Sequence, residues 1–349
     1  MFIRTIFPMS KTAFLIVTFL SSSCLTYSQS PPAAPFYLIG CEDKCDNEIV
    51  SAFSNNGTNF SWAPAWKPDA SLNCMHDHTL LYYNDKVHKP YWLCACSAAT
   101  NHGSAVDDDS FGLARSDDLL HWTQLPSVAP AGIKNKILET WSPYLFQDPA
   151  DGAVYAFVAI GTDVDWKGIG YMKCLDPGTW TRWTEWKSFP ALQHQNIGKY
   201  NGPAVYYLNG KYWFFFDDYS GRNGYPSAEA YITSSSGLLS GYGAPTYIPS
   251  LNSVLPLDDN FLKKEFKQYR YEGMSLVRMN APVWRIYVQA IGKVNGLALG
   301  DIMGFIESDD NMKTWGAFQL LRDSKSNVAL FRASHVYRLD DVMTGSPSK

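Results

Sequence analysis

A short apolar strand, a tight turn and a second, aromatic-rich strand recur along this chain, and that recurrence restricts it to folds built from repeated hairpins. The first copy spans residues 78–83 and 90–96 about Asn84-Asp85, and the second spans 143–146 and 153–160 about Asp151-Gly152. The third spans 203–208 and 211–217 about Asn209-Gly210, and the fourth 274–279 and 283–290 about Asn280. Asn-Gly and Asp-Gly are strong hairpin signals because their residues tolerate positive φ. Helical periodicity is scarce. After a hairpin comes a second pattern of strand, Ser-Asp-rich turn and strand opening on Trp. It runs from Phe111 to Trp122, from Ile302 to Trp315 and, near the N-terminus, from Ile49 to Trp62. Residues 169–186 and 228–248 occupy the matching places with looser turns.

A fifth inner strand follows Arg332, over 333–339. The residues opening the five inner strands are Asp77, Trp141, Asn201, Glu272 and Arg332, at separations of 64, 60, 71 and 60 residues. Units of this length fit four-stranded blades joined by loops, so the expected class is all-β, a five-bladed β-propeller. A two-sheet sandwich is the alternative, but even spacing favours radial repetition. The ring is expected to close by outer strands near 49–65 joining inner strands from the C-terminus. In a propeller the first strand of each blade lines the central channel. The five opening residues should therefore meet at one mouth, with the carboxylates Asp77 and Glu272 facing each other. Turn residues, or a salt bridge to Arg332, are the plainer account of those acids.

The N-terminus reads as a secretory signal over residues 1–29, with Arg4 and Lys11 before a short apolar run at 12–20 and small residues after it. A retained signal anchor is the alternative. The propeller is expected over 30–340 and a disordered tail over 341–349. Export without a membrane span after cleavage makes the six cysteines Cys41, Cys45, Cys74, Cys94, Cys96 and Cys174 candidates for disulfides, in pairings that spacing cannot choose. Asn56 and Asn59 begin N-glycosylation sequons. The net charge of −4 and the lack of a basic run argue against nucleic acid. Aromatics make up 15% of the chain, enough to fill sheets and leave a few flat faces for sugar rings.

With those positions in place, the chain resembles the five-bladed glycoside hydrolases of family 43, the arabinanase, β-xylosidase and α-arabinofuranosidase group. Levansucrases and invertases are more distant relatives. His76-Asp77-His78-Thr79-Leu80 resembles the first-blade segment carrying that family's general base, and Trp141-Ser142-Pro143 its second-blade Trp-Ala-Pro. Tyr271-Glu272-Gly273-Met274 resembles the Glu-Gly-Pro of its general acid, and residues 116–122 its Ser-x-Asp-Leu-x-x-Trp outer turn. The resemblance implies a secreted glycosidase acting on polysaccharide or oligosaccharide with arabinose, xylose or galactose units. It also implies inversion, for which the two carboxyls stand roughly 6.5–9.5 Å apart. A monomer needing no cofactor is expected, with a structural calcium ion (Ca2+) in the channel as an option.

One position departs from the family. Its third-blade carboxylate, which orients the acid and tunes its pKa, is replaced by Asn201. Catalysis then depends on another carboxylate, such as Glu139 or Asp218, or the chain is a carbohydrate-binding propeller that has lost turnover. A protein-interaction propeller is a third reading. Around the ring, His76, His78, Trp141, Arg332 and His335 are candidate substrate-binding residues, with ordinary packing as the alternative for each histidine. Trp141 is the foremost stacking candidate, ahead of Trp62, Trp66 and Trp166. Asp107, Asp108 and Asp109 read as an acidic surface loop sooner than a calcium site, and no metal ligands are assigned. The loops 101–110 and 255–269 are expected to shape the mouth.

Overall fold

The computed structural model describes residues 34–41, 48–68, 73–99, 109–193, 200–220, 227–252, 268–294, 297–325 and 333–344. The signal segment, Cys45, Arg332 and most of the 101–110 and 255–269 loops lie outside them. Five sheets form a five-bladed β-propeller. Blade I is Asn73–Tyr83, Tyr91–Ala99, Ser110–Ser116 and Trp122–Val128; blade II is Ile137–Gln147, Val154–Thr162, Trp166–Lys173 and Lys187–Ser188. Blade III is Tyr200–Leu208, Lys211–Asp218, Ala228–Ser234 and Thr246–Asn252, and blade IV is Gln268–Asn280, Val283–Val294, Leu297–Ser308 and Gln319–Leu320. The inner strand of each blade touches the inner strand of the next, all the way round.

Ring closure differs in one respect from expectation. A single C-terminal strand, Ala333–Arg338, forms the inner edge of blade V, and three N-terminal strands complete it: Phe36–Cys41, Val50–Ser54 and Asn59–Trp62. Phe36–Cys41 is buried at all six positions between Arg338 and Ser54. Covered on both faces, it is continuously apolar and shows no alternation to mark it as a strand. Arg322–Asp323 adds a parallel edge to Asn59–Phe60, tying the two ends of the ring again. Beyond it, residues 339–344 form a short helix, Leu339–Thr344, where the disordered tail was expected to begin.

The hairpin turns follow from their residues. Asn209 and Gly210 both take positive φ, at 52° and 77°, between the paired Leu208 and Lys211. That is the two-residue turn whose twist matches the flanking strands. The outer turns share one chemical device. In blade I the Ser116 hydroxyl donates to Asp118 Oδ1 at 3.1 Å, and that oxygen accepts the amides of Leu120 and His121. Blade V repeats it with Ser54 and Asn56, and blade IV with Ser308 and Asp310. In blade II a cysteine takes the serine's place. The Cys174 thiol points to Asp176 Oδ1 at 3.8 Å, and Asp176 accepts the Arg182 amide.

This corrects the disulfide expectation at two positions, since Cys174 and Cys94 are buried free thiols. Cys174 serves as a turn donor, and Cys94 packs among Tyr37, Leu80 and Trp122. Most aromatics fill the spaces between blades. Phe189 stacks on Phe214 at 4.3 Å, and buried Trp180 donates its indole N–H to Tyr91 Oη.

Candidate functional site

Each of the first four inner strands carries the same backbone irregularity near its start. The register slips between His76 and Thr79, Trp141 and Tyr144, Asn201 and Ala204, and Glu272 and Ser275. Within each slip one residue has left-handed φ: Asp77 at 54°, Ser142 at 50°, Gly202 at 56° and Gly273 at 70°. These are bulges that re-aim side chains towards the channel. They also correct the alignment of the ring by one residue in blade I. His76 stands level with Trp141, Asn201 and Glu272, and Asp77 occupies the bulge position held elsewhere by Ser or Gly. An L-residue there costs roughly 1–2 kcal/mol, less for Asp because its side chain bonds locally.

Asp77, Ser142, Asn201, Asp217, Glu272, Gly273, Gln289 and His335 line one narrow pocket at this level. The Ser142 hydroxyl donates to Asp77 Oδ2 at 2.8 Å, and His76 Nδ1 lies 3.1 Å from the same oxygen. Burial alone would raise the Asp77 carboxyl. The charge and hydrogen bond of His76, with the hydrogen bond of Ser142, outweigh it and hold the group well below the usual carboxylate range. Asp77 is thus a persistently ionised group on the pocket wall.

Across the pocket, Glu272 is 12% exposed at its side chain. Arg270 donates to its Oε1 at 2.9 Å, and the Tyr219 hydroxyl donates to Oε2. Tyr219 Oη also lies 3.4 Å from Asp217 Oδ2. Asp217 is a carboxylate that lines the same pocket as Asn201. It pairs in register with Asn201 on the adjacent strand. A Cβ on Gly202 would stand 2.1 Å from its Oδ2, so only glycine leaves room for this carboxyl. The Gly273 amide donates to it at 3.3 Å. Burial, with the charges of Glu272 and Asp77, pushes the Asp217 carboxyl up to about 7 against the hydrogen bonds it accepts.

The two substitutes expected from sequence lie elsewhere. Asp218, one residue on, points to the opposite face of its strand and accepts the Tyr247 hydroxyl at 2.8 Å. Glu139 pairs with Gly161 on the neighbouring strand and lies over it. Asn201 itself is buried, and its Oδ1 accepts no hydrogen bond among the described residues.

The histidines divide. His335 Nδ1 lies 3.0 Å from the His78 carbonyl oxygen, which can only accept, so Nδ1 carries the proton. His335 Nε2 is then an unpaired acceptor on the pocket wall, and burial favours the neutral ring. His76 supports Asp77. His78 is fully buried outside the pocket lining, pushed down to about 3 by burial. Trp141 is half-buried and packs edge-on to Trp166 at 5.4 Å. Among the described residues no cluster of His, Cys, Asp or Glu is arranged to hold a metal ion.

No protein-family model and no curated protein matches this sequence. Solved structures do match in fold. A xylan β-1,4-xylosidase from Bacillus halodurans superposes with a TM-score of 0.55 at 16% identity, over 81% of this chain and 52% of that one. An α-L-arabinofuranosidase from Lactobacillus brevis gives 0.53 at 13%, over 82% and 92% of the two chains. An arabinanase from Bacillus subtilis gives 0.51 at 18%, over 78% and 91%. This chain thus spans about half the length of the xylosidase. The likeness is one of fold.

Sequence reasoning missed Asp217, Tyr219, Gln289 and the role of Ser142. A signal for the first existed in Phe214-Phe215-Phe216-Asp217-Asp218, where a strand buried on both faces ends on two acids. Alternation sends one acid to each face, and only Asp217 faces the channel.

Proposed function

We propose that this protein is a glycoside hydrolase acting on polysaccharide or oligosaccharide that contains arabinose, xylose or galactose. Glu272 donates its proton to the glycosidic oxygen as the C–O bond breaks. Asp77 takes a proton from a water that attacks the anomeric carbon from the opposite face, inverting configuration. The proton gained by Asp77 and the one lost by Glu272 are then exchanged with solvent, so the reaction needs no cofactor. His335 Nε2 accepts a sugar hydroxyl, and Trp141 offers an aromatic face. Export as a monomer behind residues 1–29 would give the enzyme access to such polymers.

One observation carries this reading: a carboxylate held ionised, Asp77, shares a narrow pocket with Glu272, whose neighbour Asp217 is a buried carboxyl. Arg270 and Tyr219 both donate hydrogen bonds to Glu272. The Arg270 side chain, however, is 45% exposed, and solvent screens such pairs heavily. The buried Asp217 carboxyl lies on the other side of the Tyr219 hydroxyl, 3.4 Å from it. The test is release of reducing ends from arabinan, xylan and galactan oligosaccharides. Glu272→Gln and Asp77→Asn should each lower kcat by roughly 10²–10⁴-fold with little change in binding. Undiminished turnover in both variants would falsify the assignment. Binding without turnover in the unmodified protein would make it a carbohydrate-binding propeller.

A further inference from the structure

Asp217 has a buried partner that the mechanism above does not use. Glu229, on the third strand of blade III, stands directly opposite Asp217 in the register of the sheet. It is 0% exposed, and Asp217 is 1% exposed. Neither Glu229 oxygen has a conventional donor among the described residues. The side chain facing it across the sheet is the Asp217 carboxyl, whose charge acts on it directly. Two facing carboxylates cannot both be ionised in so dry a place, and a carboxyl–carboxyl hydrogen bond requires a proton between them.

The other groups facing the pair decide where that proton sits. On the Asp217 side are the Gly273 amide, Tyr219 and the charges of Glu272 and Asp77; Arg270 lies behind Glu272. On the Glu229 side are Asp217, Glu272 and Asp218, all acidic. Asp217 therefore has the Gly273 amide to stabilise an anion, and the groups around Glu229 are acids.

We infer that Glu229 is a positioning residue that holds a proton and donates it in a hydrogen bond to Asp217. The two buried carboxyls then present one negative charge to Glu272, in the place that Asn201 leaves neutral. This inference deepens the hydrolase reading and rests on it for its catalytic consequence, but the proton on Glu229 can be seen without any substrate. The charge needed beside the acid comes from the second and third strands of the blade. Glu229 makes it tolerable there by supplying the hydrogen bond that solvent cannot.

Infrared spectroscopy of the free, full-length protein at about pH 8, where ordinary carboxyls are ionised, reads the proton directly. A protonated-carboxyl stretch should be present in the unmodified protein and in Asp217→Asn, and absent in Glu229→Gln. Its absence from the unmodified protein, or its persistence in Glu229→Gln, overturns the inference. The second readout is the basic limb of kcat/KM on whichever oligosaccharide is cleaved. Asp217→Asn should move that limb down by about one pH unit. Glu229→Gln, which retains an N–H donor for Asp217, should leave it in place, and Glu229→Leu should move it as Asp217→Asn does. Equal shifts in Glu229→Gln and Asp217→Asn overturn the role given to Glu229. If the unmodified protein cleaves nothing, the hydrolase reading fails while the infrared result still decides the dyad.

Discussion

Two carboxyls share one channel mouth and are held in opposite ways. On the blade I and II side, Asp77 is met by the Ser142 hydroxyl and His76, which favour its anion strongly enough to overcome burial. On the blade III side, Asp217 sits among acids, and burial with their charges drives it towards the protonated form. Nearness to the channel is common to both. What separates them is the neighbouring blade: blade II offers a hydroxyl to Asp77, whereas blade IV offers Asp217 another carboxylate. Opposed pKa directions within one pocket are what acid–base chemistry at neutral pH requires.

The comparison breaks most cleanly at Asp217, where the largest effect is expected. Its folded-state value, about 7, lies above the ordinary 3.8. Its contribution to stability is therefore fully present below about pH 4 and is lost as pH rises through 7. Removing the titration should remove that loss. Chemical denaturation at about pH 8 should find Asp217→Asn more stable than the unmodified protein, by up to about 4 kcal/mol at 1.36 kcal/mol per unit. The gain should vanish at about pH 4. A variant that is less active and yet more stable identifies a group held in place against stability.

Asp77 should behave with the opposite sign. Its folded-state value is depressed, so its stabilisation is present above about pH 4 and is lost as pH falls further. Asp77→Asn should cost roughly 1.5–3 kcal/mol at pH 7, the range for hydrogen bonds to a charged group, and progressively less as pH falls below about 4. Asn tolerates the left-handed backbone as Asp does, so the measurement reports charge and not strain. Stability curves of the same sign for the two variants would dissolve the contrast between the two sides.

The sequence made the propeller legible because its signals are local and repeated. Asn209-Gly210 must turn, and Ser116 to Trp122 must form a side-chain-closed turn before a strand. The candidate site was legible only where a motif stood on an inner strand, as at Asp77, Asn201 and Glu272. Asp217 and Glu229 lie on outer neighbours of that strand, 16 and 28 residues beyond Asn201. Their meaning arises from register across a sheet, which local pattern does not encode. Ser142 was visible, yet its partner lies 65 residues away on another blade. Phe36–Cys41 was lost for a related reason, because burial on both faces removes the alternation that marks a strand.

The smallest expected effect lies at Ser142 and tests how Asp77 keeps its charge. The side chain makes one hydrogen bond to the Asp77 carboxylate, while the Ser142 amide separately donates to Ser97 Oγ at 3.0 Å. Ser142→Ala should therefore leave the backbone of the bulge in place and remove one of the groups that favour ionised Asp77. The loss should raise the acid limb of kcat/KM by about one pH unit or less, since one unit is 1.36 kcal/mol and His76 remains. The basic limb, which belongs to Glu272 and the Asp217 side, should not move. Ser142→Gly relaxes the left-handed residue as well, and it should regain stability without restoring the acid limb. Were both limbs to move together, the two sides of the mouth would titrate as one coupled unit and not as two separately tuned ones.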